Sequence, residues 1–212
     1  MKKFESIFKD GLEDFINVRL VQRPNPFFEV MEERAKVRNV PILSPAAGEV
    51  LRYLVKTKNP QNILELGTGL GYSTAWMLSG LEQVQITTIE RNEKLVQTAK
   101  EFLKPHIQKS QKVEFLKMGC VEYLQTNDLA KYDLFFIDCD KIFYPEILDL
   151  LKPYKKEGVS FIFDNVLWHG RLDPTLYDRP SDRAIQKLWE MVFTLDWERT
   201  LFSAGDGLLL FP

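Results

Sequence analysis

The stretch Ile63-Leu64-Glu65-Leu66-Gly67-Thr68-Gly69-Leu70-Gly71-Tyr72-Ser73 constrains this chain more than any other. An apolar run breaks into three alternating glycines and then resumes with helix-forming residues, which reads as a strand, a tight turn and a helix start near Tyr72. Glycine permits positive φ and lets a ligand lie against main-chain N–H groups, and the first turn of a helix offers unpaired donors to something anionic. The dinucleotide fingerprint requires G-x-G-x-x-G, whereas here Gly67, Gly69 and Gly71 run G-x-G-x-G and the strand ends in an acid, Glu65. That favours S-adenosylmethionine over NAD, because a carboxylate suits a ligand carrying an ammonium group and no pyrophosphate has to be cradled. A plain strand-to-helix turn uses the same residues, so the glycine spacing by itself leaves both readings open.

With 212 residues, 45% of them hydrophobic and 27% charged, the chain is long enough for one well-buried core and short for two. One domain over 1–212 is expected, with a helical N-terminal extension over 1–58 and a Rossmann-like core over 59–212. A net charge of -2 gives no global basic field, so partners are expected to be small molecules rather than nucleic acid. Cys120 and Cys139 both lie in or beside apolar runs, where reduced buried thiols are expected and no disulfide framework. Glu5, Lys9, Asp10, Glu13 and Asp14 interrupt the apolar N-terminal residues, and no stretch approaches the length of a bilayer span. A soluble, cytoplasmic protein without membrane contact is the expectation.

Phe4, Ile7, Phe8, Leu12, Phe15, Ile16 and Leu20 recur at helical spacing over 3–22, ended by Pro24 and Pro26. A second helix is expected from Phe27 to Lys36, and a third from Pro45 to Lys56 with Ser44 as N-cap. Beyond residue 60 strands alternate with helices. Strands are predicted at 63–67, 85–90, 112–117, 132–138 and 159–164, and helices at 72–80, 92–104, 120–125, 143–151 and 182–193. Such alternation predicts an α/β fold with a doubly wound, mostly parallel sheet. The runs 197–202 and 207–211 flank Gly205-Asp206-Gly207, so they predict a hairpin adding an antiparallel strand at one edge. The stretch from Trp168 to Ser181 reads as the longest loop and a candidate lid.

Ligands in open α/β sheets bind beyond the carboxyl ends of the strands. Those ends carry Glu65, Glu90, Asp138 and the pair Asp164-Asn165. Glu90 is placed to accept hydrogen bonds from two ribose hydroxyls. Asp138 and Asp164-Asn165 end neighbouring strands and offer two carboxylates and an amide oxygen, a hard donor set suited to Mg²⁺, with Mn²⁺ or Ca²⁺ as substitutes. A helix cap and a turn would use the same residues. Lys141 is placed to act as a base or to steady an oxyanion, and Trp168 to serve as a platform for a flat ring. His106 is expected at the surface, and His169 on the acceptor side.

The segments ILELGTGLGYS (63–73), YDLFFIDCDK (132–141), FDNVLWHGR (163–171) and GDGL (205–208), with the turn Pro41-Ile42-Leu43-Ser44, resemble the small cation-dependent O-methyltransferases of the caffeoyl-CoA and catechol type. The resemblance implies a seven-stranded methyltransferase fold binding S-adenosylmethionine, with a divalent cation chelating two neighbouring oxygens of the acceptor, and a homodimer. By resemblance the donor would touch Leu43, Glu65, Gly67, Thr68, Ser73, Glu90, Cys120, Val121 and Asp138, and the cation would be held by Asp138, Asp164 and Asn165. Lys141 and Asp138 would be the catalytic pair, and Asp140, Trp168 and His169 would face the acceptor. Cys139 and Asp140 replace the His-Trp pair of the catechol enzymes, and His169 stands where plant relatives have an asparagine. The expected activity is therefore methyl transfer to a hydroxyl of a small catechol-like acceptor. The alternatives are a tRNA 5-hydroxyuridine methyltransferase, for which the lysines at 100, 104, 109 and 112 would supply phosphate contacts, and a non-catalytic donor-binding protein.

Overall fold

The computed structural model describes residues 10–212, so the first part of the helix expected over 3–22 lies outside the described residues. Within it, α1 (Leu12–Phe15) passes directly into a π-helical turn, Ile16–Leu20. Helix α2 (Phe27–Arg38) ends on Asn39 in the left-handed region, φ 50°. Helix α3 (Pro45–Lys58) begins as its sequence prescribes: Ser44 Oγ accepts from Ala47 N at 3.2 Å and Pro45 fills the first position.

The core then alternates β1 (Asn62–Leu66), α4 (Tyr72–Ser79), β2 (Val84–Glu90), α5 (Glu93–Leu103), β3 (Gln111–Lys117), α6 (Cys120–Thr126), β4 (Leu134–Ile137), α7 (Tyr144–Leu151) and β5 (Ser160–Phe163). Helix α8 (Pro180–Thr194), β6 (Thr200–Phe202) and β7 (Leu208–Phe211) complete it. The seven strands lie in the order β3-β2-β1-β4-β5-β7-β6, parallel through β5, with β7 antiparallel to both its neighbours. The C-terminal pair is more than an added edge strand. The second strand, β7, inserts beside β5 because its Leu208-Leu209-Leu210-Phe211 run is buried on both faces, and the half-exposed β6 is left at the rim.

Alternate residues of each central strand serve two cores. Ile63, Leu134, Phe136 and Ile162 face α2, α3 and α4 through Phe28, Leu51, Leu54 and Trp76. Leu64, Phe135, Ile137, Phe161 and Phe163 face α6, α7 and α8 through Tyr123, Ile147, Leu148, Ile185 and Leu188. Among the described residues no helix is long and apolar enough to cross a membrane.

After β1 the chain winds outward through β2 and β3, then returns to lay β4 on the other side of β1. The carboxyl ends of β1 and β4 therefore mark the switch point where such sheets open a crevice. Gly67 occupies that point at φ +107°, and a Cβ on it would overlap the main-chain carbonyl of Asp138. Beneath the turn, Glu65 is buried with both carboxylate oxygens in use. Ser73 Oγ donates to Oε1 at 2.5 Å, and Thr74 Oγ1 and Thr88 Oγ1 donate to Oε2 at 2.5 and 2.6 Å. This acid and Ser73 thus tie β1, α4 and β2 together under the turn. Both oxygens of Glu65, the acid expected to meet the donor's ammonium group, are engaged by hydroxyls in the buried space beneath the turn.

Two measurements follow from this turn. Gly67→Ala is expected to fold poorly or not at all, whereas Gly69→Ala, at φ +53° with open space above it, is expected to keep its melting cooperativity and lose ligand affinity at the crevice. Burial outweighs the three hydroxyls and raises the Glu65 carboxyl to about 7. The native state then binds a proton that the unfolded chain has already released, so stability is expected to fall as pH rises from the unfolded carboxylate range to about 7 and to level off above it. Denaturant unfolding across that window should show a decline of about 3 kcal/mol from this group, absent in Glu65→Gln.

Candidate active site

The crevice is built first by the glycine turn. Gly67 N and Thr68 N both donate to Ile89 O, at 2.9 and 3.2 Å, and Gly71 N donates to Thr68 O at 2.8 Å. The turn is therefore anchored to β2 on one side and to Asp138 on the other. Glu90, at the end of β2, accepts from Gly69 N through Oε2 at 3.1 Å and from Asn92 N through Oε1 at 2.8 Å. Its carboxylate lies over the middle glycine, half-buried, where a diol on a ligand would meet it. Leu43 is buried nearby in the core under α3, while Cys120 and Val121 open α6 at the end of β3. Both thiols are free and half-buried, and the neighbouring Cys120 thiol, with burial, pushes the Cys139 thiol well up. Cys120 stands past the carboxyl end of β3 and Cys139 past that of β4.

On the other flank, Ile137 pairs with Phe163, so Asp138 and Asp164 leave adjacent strands side by side, as the spacing predicted. Asp164 is buried, and its Oδ1 is shut off from solvent without a hydrogen-bond partner. Burial, and then the neighbouring Asp138 charge, push its carboxyl well above the usual range. Asn165 follows in the left-handed region, φ 56°. Lys141 Nζ donates to Asp138 Oδ1 at 2.8 Å and to the Tyr144 hydroxyl at 2.9 Å. Burial works against the ammonium charge, but Asp138 and Asp164 together overcome it, so Lys141 is held protonated. Tyr144 is fully buried and its hydroxyl lies 2.9 Å from Asp164 O and 3.0 Å from Ile137 O, joining the ends of β4 and β5 beneath the acids. No sequence signal marked Tyr144, since an aromatic three residues past a lysine has no motif value.

Among the described residues, no group of three or more His, Cys, Asp or Glu side chains is placed to hold a metal ion. The set at the β4–β5 ends contains two carboxylates and one amide. Its chemistry fits a hard cation: a buried carboxylate oxygen lacking any donor, beside a second acid, is stabilised by positive charge brought to it.

The segment after Asn165 is a constrained turn. Trp168, His169 and Gly170 form a 3-10 turn with φ of 47°, 54° and 75°. Two carboxylates hold it. Asp182, in the first turn of α8, accepts from Trp168 Nε1 at 2.7 Å, from Arg171 Nε and Nη2 at 2.8 and 2.6 Å, and from Arg179 N at 3.0 Å. Asp206, between β6 and β7, accepts from His169 N at 2.7 Å. The candidate lid is accordingly shorter than the 168–181 loop read from sequence, and both its ends are fastened to Asp182. Asp140 does not join this turn. It pairs with Arg91 at 2.7 Å, toward the end of β2. Asp182 and Asp206 were unmarked in the sequence as site residues, although Gly205-Asp206-Gly207 signalled a turn.

Comparison with known proteins agrees with this geometry. The profile of the O-methyltransferase family matches residues 26–211. The tapetum-specific methyltransferase 1 of Arabidopsis thaliana is 32% identical over 170 residues, covering 76% of this chain and 72% of that one. A catechol O-methyltransferase of Niastella koreensis is 28% identical over 152 residues, 68% of this chain and 65% of its own length. An O-methyltransferase of Bacillus cereus, solved in complex with SAH, superposes with a TM-score of 0.76 over 94% of this chain and 96% of that one, at 24% identity. With this profile match spanning both the glycine turn and the paired acids, the chain belongs to the O-methyltransferase family.

Proposed function

We propose that this enzyme transfers the methyl group of S-adenosylmethionine to a hydroxyl of a small acceptor bearing two neighbouring oxygens, with catechol-like compounds as the simplest case, and that the transfer depends on a divalent cation. The observation that carries the cation is the buried, unpartnered Oδ1 of Asp164 beside Asp138. A cation such as Mg²⁺ would be held by Asp138, Asp164 and Asn165 and would supply positive charge that favours an ionised acceptor oxygen. The SAH bound by the Bacillus cereus relative supports the donor assignment.

The chain's own residues divide the remaining work. The amides of the Gly67–Gly71 turn and the Glu90 carboxylate orient the donor, with Cys120, Val121 and Asp138 beside it. Lys141, fixed by Asp138 and Tyr144, presents a permanent positive charge to the developing oxyanion. A protonated ammonium of this kind stabilises charge and does not act as the base. Trp168, locked by Asp182, forms the wall against which an aromatic ring packs. Much of the rate enhancement then comes from positioning. The exposed Phe15, Val18, Leu20 and Val37 of the N-terminal helices support a homodimer, measurable by sedimentation equilibrium.

Calorimetric titration with S-adenosylmethionine and then a 3,4-dihydroxyphenolic, each with Mg²⁺ and with EDTA, tests the reading. Donor binding in both conditions and acceptor binding only with Mg²⁺ is the expected result. Equal methylation after chelation would remove the cation from the mechanism, and absence of donor binding would overturn the proposal. Donor binding without any phenolic signal, accompanied by steeply salt-dependent binding of tRNA, would move the acceptor to RNA. Lys141→Met is expected to lower kcat by about 10²-fold, as for loss of an oxyanion-stabilising group, while S-adenosylmethionine affinity is retained.

A further inference from the structure

Three successive residues of β2 grip three successive residues of the glycine turn. The Ile89 carbonyl accepts from Gly67 N and Thr68 N at 2.9 and 3.2 Å, and Glu90 Oε2 accepts from Gly69 N at 3.1 Å. The remaining link is made by side chains alone. Thr88 Oγ1 and Thr68 Oγ1 lie 2.6 Å apart in the buried space beneath the turn.

The geometry points to Thr88 as a positioning residue for the methyl donor: its hydroxyl joins the buried Glu65 carboxyl to Thr68 and so holds the glycine turn in the shape that receives S-adenosylmethionine. This assignment rests on the placement of the donor at that turn.

Counting hydroxyl hydrogens gives the link a direction. Thr88 has one such hydrogen and donates it to Glu65 Oε2 at 2.6 Å. Oε2 takes the Thr74 hydroxyl as well, at 2.5 Å, and so acts as the accepting oxygen of the acid. The hydrogen of the Thr68–Thr88 pair therefore comes from Thr68. A directed chain results, Thr68 to Thr88 to Glu65, running from the turn into the core.

Thr68 is the one residue between Gly67 and Gly71 whose side chain can hydrogen-bond. On either side of it Gly67 and Gly69 hold positive φ, +107° and +53°, and glycine leaves such a backbone many alternatives. The bonds to Ile89 fix where the turn begins, and the hydroxyl fixes how its middle is rotated. Both threonines are buried, so neither hydroxyl reaches bulk water unless the turn moves.

Thr88→Val keeps the β-branched shape that suits β2 and removes the hydroxyl. Thr68 is then left with a buried hydroxyl that has no partner. It regains one only when the turn shifts toward the crevice, and donor binding has to reverse that shift. The cost of the stranded hydroxyl thus falls on donor affinity as well as on stability.

Calorimetric titration of the intact variants with S-adenosylmethionine, below the melting temperature of each, tests the assignment. Thr88→Val is expected to raise the donor Kd by about tenfold, and Thr88→Ser, which restores the hydroxyl, to stay within about twofold of wild type. The double variant Thr68→Val/Thr88→Val strands no hydroxyl but lacks the anchor, so its affinity is expected to fall between those of the wild type and Thr88→Val. A role of Thr88 confined to packing or to Glu65 would lower the melting temperature and leave the double variant no tighter than the single one. Should Thr88→Val be too unstable to titrate, the double variant carries the test, with binding several-fold weaker than wild type expected. Wild-type affinity in Thr88→Val or in the double variant, or a double variant no tighter than Thr88→Val, would overturn the assignment. Gly69→Ala controls for the placement of the donor: wild-type affinity there puts the donor elsewhere, whereas weakened binding in Gly69→Ala beside intact binding in Thr88→Val assigns the failure to Thr88 alone.

Discussion

The contact on which the rest of the structure depends is the bare backbone of Gly67 against the carbonyl of Asp138. It occurs at the point where β1 and β4 part, and no side chain fits between them. Because the turn is pressed onto Asp138, the glycine turn and the acid pair are one rigid unit rather than two loops that must find each other. Methyl transfer in line between two bound molecules tolerates little misplacement, so a backbone contact is an apt device for fixing the distance between their sites.

Three acids crowd this junction, and the chain manages each by different means. Glu65 is held neutral by burial despite hydroxyl donors from α4 and β2, and it serves the turn from below. Asp138 is paired with the Lys141 ammonium. Asp164 keeps one buried oxygen without a donor, and that uncompensated group is the chemical opening in the site. The difference lies in the neighbours: Glu65 meets hydroxyls of α4 and β2, whereas Tyr144 on the β4–β5 side spends its hydroxyl on main-chain carbonyls.

The periphery is tied to this centre through few, specific links. Tyr72, the first residue of α4, donates to Glu32 Oε1 at 2.6 Å, and Arg23 holds the same carboxylate at 2.9 Å. The N-terminal helices are therefore joined to the helix that starts at the donor turn. On the opposite side Asp182 and Asp206 fasten the acceptor wall to α8 and to the final hairpin. Both ends of the chain thus brace the middle segment that carries the reactive groups.

The sequence by itself determined the elements and the donor turn. Apolar runs alternating with helical stretches, the Ser44-Pro45 cap and the alternating glycines are local signals, and the structure repeats them with boundary shifts of one to three residues at most elements. Asp138, Asp164 and Asn165 were legible too, because strand ends in a parallel sheet share one edge whatever the details. Only the tertiary structure decided what each polar group is used for. Glu65, expected at the donor, takes three hydroxyls beneath the turn; Asp140, expected at the acceptor, pairs with Arg91; Tyr144, Asp182 and Asp206 carried no site signal in the sequence. Their roles depend largely on partners distant in the chain, His169 for Asp206 and Arg91 for Asp140 among them, brought close by packing that no local pattern encodes. The same holds for the insertion of β7 beside β5, which follows from burying both faces of one strand and is decided by what the rest of the sheet leaves uncovered.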